Sequence, residues 1–267
     1  MKKLKNIFLL LTGVMVLFSC NKQIADDQVN PNSPTSVPAQ LILGTVLTAV
    51  SGNGCSGSLG GIQSWDVVQG WNQYHCQNYN YYGNNIYSWT QGTHNELTSN
   101  TASGPFNSYL VLKNVAQMQK EVKATGGSAL NPYEAIGRFV TAWYYYNMTS
   151  LMGDVPLTQA LSSSTTTPAY TAQEQVFLYV LNQLDSANSD LAALIAQNDA
   201  SLSSSQDIYY GGKLGSWQKL VNSFKLRVLV ALSPKASDAT LNVPAQFANI
   251  LGNPGKYPIF TSQADDF

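Results

Sequence analysis

Few residues capable of covalent or acid–base chemistry stand at spacings that would let them perform it. The chain has two histidines, His75 and His94, and neither belongs to a His-Glu-x-x-His metal motif. His75 precedes Cys76, an arrangement suggestive of a nucleophile and its base. Adjacent residues on a helix or strand point to different sides, which argues against that pair. No Gly-x-Ser-x-Gly elbow is present. Glycoside hydrolysis needs two carboxylates about 5 to 9.5 Å apart. Asp66, Glu96, Asp154 and Asp207 are the candidates, and their spacing carries no pairing signal. Gly52, Gly54, Gly57, Gly60 and Gly61 are wrongly placed for a phosphate-cradling loop, and no Gly-Lys-Ser/Thr follows. An oxidising compartment permits a disulfide between Cys55 and Cys76, but two cysteines fix neither geometry nor pairing. A two-cysteine metal site would lack its second pair of ligands. The expectation is a chain with no catalytic residue, no metal and no cofactor.

Non-covalent recognition has a stronger signal. Between Trp65 and Trp89 the chain holds Trp65, Trp71, Tyr74, Tyr79, Tyr81, Tyr82, Tyr87 and Trp89, interleaved with Gln69, Asn72, Gln73, Gln77, Asn78, Asn80, Asn84 and Asn85. Aromatic faces stack on the apolar faces of sugar rings, and neighbouring amides hydrogen-bond the hydroxyls. Trp71, Tyr74, Tyr79, Tyr81, Tyr82 and Trp89 are the candidate ligand contacts. Trp65, Trp71 and Trp89 read rather as core residues on helix faces. The Tyr79, Tyr81, Tyr82 run lies in a Gly- and Asn-rich loop and reads as exposed.

Composition agrees with a neutral polar ligand. Only 11% of the 267 residues are charged and 44% are apolar, against roughly 25% charged in typical domains. Asn, Gln, Ser, Thr and Tyr supply the polarity. No basic patch exists to engage a nucleic acid backbone. The formal net charge is −1.

The N-terminus reads as an address. Lys2, Lys3 and Lys5 form a basic region, and Ile7 to Phe18 is an apolar run too short for a comfortable membrane span. Leu17-Phe18-Ser19-Cys20 looks like a bacterial lipobox, in which cleavage would precede Cys20 and lipid would be attached to it. Residues 1–19 are then a signal peptide whose removal leaves 11 positive and 15 negative side chains. Residues 20–35 are a polar, extended tether containing Pro31 and Pro34. Asp26 and Asp27 resemble the acidic export signals of Bacteroidetes surface lipoproteins, with Lys22 intervening.

The elements that must position any site are helical. Ser36-Val37-Pro38-Ala39-Gln40 opens a helix through Leu41, Ile42, Val46 and Leu47, and Asn242-Val243-Pro244-Ala245-Gln246 echoes it before Phe247, Ile250 and Leu251. The shared chemistry of a cap and an early Pro accounts for the echo without a sequence repeat. Phe106, Tyr109, Leu110, Val115, Ala116 and Val122 predict an amphipathic helix ended by Gly126-Gly127. Asn131-Pro132-Tyr133-Glu134 is a helix start, with Asn capping, Pro at the first position and Glu reaching back. Ile136, Phe139, Val140, Trp143 and Tyr144 then form one apolar, aromatic face up to Met152-Gly153. Thr171-Ala172-Gln173-Glu174 reads as a capping box before Val176, Phe177, Val180, Leu181, Leu184, Leu191, Leu194 and Ile195. Ser216-Trp217 opens a last long helix, stopped at Ser233-Pro234. On that helix Lys225 and Arg227 read as structural or solvated. Asp185-Ser186-Ala187 matches a short O-glycosylation pattern that its helix would hide.

Two segments carry a family resemblance. One is the aromatic helix running into Gly153-Asp154-Val155-Pro156. The other is Asp207-Ile208-Tyr209-Tyr210-Gly211-Gly212 followed by Trp217-Gln218-Lys219-Leu220-Val221-Asn222-Ser223-Phe224-Lys225-Leu226-Arg227. In this order, behind a lipobox, they resemble the SusD/RagB family of outer-membrane lipoproteins. The resemblance implies a mainly α fold of tetratricopeptide-like helical hairpins with long ligand-facing loops. It also implies a surface-facing, lipid-anchored glycan- or oligosaccharide-binding protein on the outer membrane, with a SusC-like TonB-dependent transporter as partner. Family members are longer, so residues 36–267 read as a SusD-like helical domain incomplete at its C-terminus. A secreted glycan-active hydrolase, or a helical-repeat interaction lipoprotein without a small ligand, are the other readings these residues leave open.

Overall fold

Six helices carry the structure, a computed structural model that describes residues 36–51 and 105–265. They are α1 (Ala39–Val50), α2 (Ser108–Ala124), α3 (Pro132–Met152), α4 (Gln173–Ala196), α5 (Leu214–Ala231) and α6 (Val243–Gly252). Two short strands, β1 (Val155–Pro156) and β2 (Tyr170–Thr171), pair antiparallel with Val155 opposite Thr171. Among the described residues no helix is long and apolar enough to cross a membrane.

The start of α3 forms as its residues dictate. The Asn131 side chain accepts the Glu134 amide at 2.8 Å, and Pro132 occupies the first turn. The Glu134 carboxylate does not complete the reciprocal box. It pairs with Arg138, which also reaches Asp190 on α4 at 3.0 Å. Ile136, Phe139, Val140 and Tyr144 are buried as expected.

Helix α3 is the centre of two antiparallel hairpins. Tyr109 on α2 meets Tyr145 on α3, while Val115 and Gln119 meet Gly137 one-third of the way along it. A Cβ at Gly137 would come within 2.9 Å of the Gln119 amide nitrogen, so this glycine sets how closely the two helices approach. On its other side Tyr146 meets Phe177 and Arg138 meets Asp190, which runs α4 antiparallel to α3. Helix α5 returns along α4 and closes on α3 through Phe224. These are helical hairpins of the tetratricopeptide type.

Several expected details differ. The capping box at Thr171 does not form, because Thr171 is already committed to the β1–β2 pair and Ala172 takes the cap position. Asp154 substitutes from across the turn. Its Oδ1 accepts the Gln173 amide at 2.9 Å, and the Gln173 side chain donates to the Thr149 carbonyl at 2.7 Å. Asp154 therefore holds the start of the next helix. The buried stripe of α2 runs Val111, Val115 and Met118 with Leu112, leaving Leu110 and Ala116 outward. Phe106, Tyr109, Val115 and Val122 of the predicted face do lie in or against the core. Leu41, Ile195 and Leu251, on the apolar runs of the predicted helices, are exposed near helix ends. Helix α5 begins at Leu214, two residues before Ser216. Neither α1 nor α6 uses a side-chain cap, so the shared chemistry of their starts is the early Pro alone.

Before α5 the chain makes a tight loop around a buried carboxylate. Asp207 is 3% exposed. Its Oδ1 accepts the amides of Tyr209 and Tyr210, and its Oδ2 accepts the Gly212 amide at 2.8 Å and the Trp217 indole at 2.9 Å. Gly211 and Gly212 have φ of 58° and 87°, a turn that side-chain-bearing residues resist. A buried carboxylate is tolerated only when its oxygens are satisfied in this way. Replacing Asp207 by Ala leaves the Trp217 and Gly212 donors buried without an acceptor. Asp207→Ala is therefore expected to lose about 3 kcal/mol or more of unfolding free energy in a urea titration. Asp154→Ala, which removes one exposed cap, loses about 1 kcal/mol.

Candidate functional site

An aromatic cleft of about 450 Å³ opens between the end of α1, the middle of α3 and the outer face of α5. Val50 and Ser51 come from α1, Phe139 and Trp143 from α3, Tyr209 from the Asp207 loop, Leu220, Ser223, Phe224 and Arg227 from α5, and Phe260 from the stretch after α6. Each is placed by a traceable cause. Trp143 and Phe139 sit one helical turn apart on the same face of α3. Phe224 fills the space between them, 5.0 Å from Trp143 and 5.7 Å from Phe139 by ring centroids. Ser223 fixes Phe260 by accepting its backbone amide at 2.8 Å. Tyr209 lies nearly parallel to Trp217 at 5.7 Å and donates its hydroxyl to the Leu47 carbonyl at 2.9 Å.

The cleft can hold and orient a ligand. No Asp, Glu or His lines it among the described residues. Trp143 and Phe260 are half-buried and expose part of their rings, and Arg227 is exposed. Such a site stacks an apolar ring face and offers guanidinium donors to hydroxyl oxygens. Among the described residues no group of three or more His, Cys, Asp or Glu could hold a metal ion.

The candidates named from sequence fall differently. Trp71, Tyr74, Tyr79, Tyr81, Tyr82 and Trp89 lie outside the described residues, as do Cys20, Cys55, Cys76, His75, His94, Asp66 and Glu96. Of the carboxylates, Asp154 and Asp207 are committed to backbone and indole donors. Lys225 is 4% exposed and bonded to Asp185, whereas Arg227 is exposed and lines the cleft. Sequence reasoning missed Trp143, Tyr209, Phe224 and Phe260 as site residues. Trp143 shares its spacing with core residues, and only the position of α5 shows that its ring is partly uncovered.

Three buried or half-buried phenols brace the scaffold. Tyr109 donates to the Pro156 carbonyl at 2.6 Å, Tyr145 to the Leu157 carbonyl at 3.4 Å, and Tyr209 to Leu47. Burial pushes all three phenols well above the ordinary tyrosine range, with neighbouring tyrosines adding to the effect. At Tyr209 a hydrogen bond with Ser51 works the other way. A folded-state pKa above the unfolded value means this stabilisation is complete below about pH 10 and is lost as pH rises further. The urea midpoint is expected to stay level to about pH 9 and fall above pH 10. Absorbance at 295 nm should then show a class of tyrosines ionising only with unfolding. All 15 tyrosines titrating near pH 10 in a folded chain would contradict this arrangement.

Comparison with known proteins gives a consistent placement. A SusD-like family model, described as starch-binding and associating with the outer membrane, matches residues 33–267. The structure is similar to a SusD homolog from Bacteroides fragilis NCTC 9343, with TM-score 0.59 and 31% identity over 84% of this chain and 42% of that one. It is similar also to a Bacteroides vulgatus ATCC 8482 outer membrane protein whose name ties it to nutrient binding, with TM-score 0.62 and 26% identity over 86% and 43% of the two chains. A chitin-binding SusD homolog from Flavobacterium johnsoniae shares the fold at TM-score 0.50 and 22% identity over 60% and 31%. The chain thus spans less than half the length of these relatives. No match was found among curated proteins.

Proposed function

The chain belongs to the SusD-like family, and on that premise we propose that it binds a neutral oligosaccharide at the outer membrane. The observation that carries this reading is the aromatic cleft, in which Trp143 and Phe260 offer ring faces beside the Arg227 guanidinium. Sugar rings present an apolar face and a rim of hydroxyls, and this lining suits both. The low charge of the chain fits the same ligand class, because amide and hydroxyl groups compete less strongly for water than ions do.

The fuller proposal adds the parts legible only in sequence. Cleavage after residue 19 would leave Cys20 lipidated, residues 20–35 would serve as a tether, and residues 36–267 would form the binding domain. Acyl chains contribute about 0.8 kcal/mol of membrane affinity per buried methylene, so several chains anchor firmly. Trp71, Tyr74, Tyr79, Tyr81, Tyr82 and Trp89 would supply further stacking and hydroxyl contacts. A SusC-like TonB-dependent transporter would receive the captured ligand, and the protein itself would perform no chemistry. Starch in the family description and chitin in the Flavobacterium relative support a glycan over a peptide.

Calorimetry with malto- and chito-oligosaccharides tests the proposal. Binding is expected to weaken about tenfold in Trp143→Ala, the loss of roughly 1.4 kcal/mol of stacking. It should also weaken when Tyr79, Tyr81 and Tyr82 are together changed to Ala. No binding by a chain shown folded by circular dichroism would remove the glycan reading.

A further inference from the structure

A second cleft, of about 370 Å³, lies where α4, α5 and α6 meet the stretch after α6. It shares no residue with the aromatic cleft. Its lining is polar and contains a charge buried to an unusual degree. Lys225 is 4% exposed, and its ammonium donates to Asp185 Oδ1 at 2.6 Å. An ammonium carries three N–H donors, and the other two have no acceptor among the described residues. Lys225 lines the cleft, so a ligand seated there can accept from its remaining donors. Lys256 brings a second ammonium to the same lining, 5.2 Å from the Tyr257 ring centre. Asp185 keeps 45% of its side chain exposed. Asn182 and Asn249 line the cleft with exposed amides.

The lining therefore holds two cations and one carboxylate, with hydroxyl-matching amides beside them. We propose that this cleft binds an acidic sugar unit, a hexuronate, as a site separate from the neutral-glycan cleft. The sugar carboxylate accepts from Lys225 and Lys256, charge-assisted bonds of the stronger kind. Its ring hydroxyls donate to Asp185 and bond to the Asn182 and Asn249 amides. Asp185 does not repel the ligand outright, because Lys225 already balances it and Lys256 remains in excess. The volume lies in the range of about 300–1,000 Å³ usual for small-ligand sites.

The test is calorimetry of the full chain with sodium glucuronate, glucose and sodium acetate. Glucuronate is expected to bind at least tenfold more tightly than either of the others, and more weakly as salt is raised. Lys256→Gln, at an exposed position outside the core, should weaken glucuronate at least fivefold, and Asn249→Leu about threefold. Trp143→Ala should leave glucuronate binding unchanged, which separates this site from the aromatic cleft. Lys225→Met serves as a third variant only if circular dichroism shows it folded. The proposal is overturned if glucuronate fails to bind the folded chain, if glucose binds as well, or if neither Lys256→Gln nor Asn249→Leu affects it.

Discussion

A single buried carboxylate ties the helices of this fold together. Asp207 takes four N–H donors, three from the next five residues of its own loop and one from the Trp217 indole. The bonds turn the loop so that Tyr209 and Tyr210 flank Trp217, one stacked and one edge-on. Trp217, fully buried, meets Phe139 of α3, and Tyr209 reaches the carbonyl of Leu47 in α1. One charge thus orients aromatic side chains that contact three helices. Its desolvation is offset with little extra ordering, because three of the four donors belong to the same local turn. The aromatic cleft inherits its shape from this arrangement, since Tyr209 and Phe139 are both wall residues and members of the cluster.

The hairpins are joined by similar means at a smaller scale. Gln173 donates to Asp154 and to the Thr149 carbonyl across the α3–α4 turn, and Arg138 spans the two helices between Glu134 and Asp190. Between α4 and α5 the link is an amide cluster. Asn188 Oδ1 accepts from both Gln218 and Asn222, and Asn222 also donates to the Pro258 carbonyl. All three side chains are buried. Buried amides with partners in two directions fix the register of helices more tightly than apolar contacts, which tolerate sliding. A chain with few charges has used hydrogen-bonding side chains for alignment as well as for its surface.

How much of this the sequence disclosed depends on the range of each interaction. The start of α3 was legible because Asn131, Pro132 and the Glu134 amide act within one turn. The end of α2 at Gly126-Gly127 was legible for the same reason. Helical period was legible and phase less so, because Leu110 and Val111 differ only in what other helices bring near them. The capping box at Thr171 failed because a strand partner sixteen residues earlier claimed that residue. Asp207 stood among possible catalytic carboxylates, and nothing local shows that an indole ten residues on completes its bonding. Trp143 was hidden by its own regularity. The Asp207 and Trp217 segments carried the family resemblance, and their buried hydrogen bonds supply a physical reason for that pattern.

By these contacts the Asp207 cluster should hold α1, α3 and α5 as one cooperative unit and so keep the cleft formed. Native-state hydrogen exchange by NMR measures this directly. The Trp217 indole N–H and the Gly212 amide are predicted to exchange only through global unfolding, at the same free energy as the core amides of α3. Exchange of either proton at a free energy well below that of α3, with α3 still protected, would show that the loop opens on its own and that the cluster does not join the three helices.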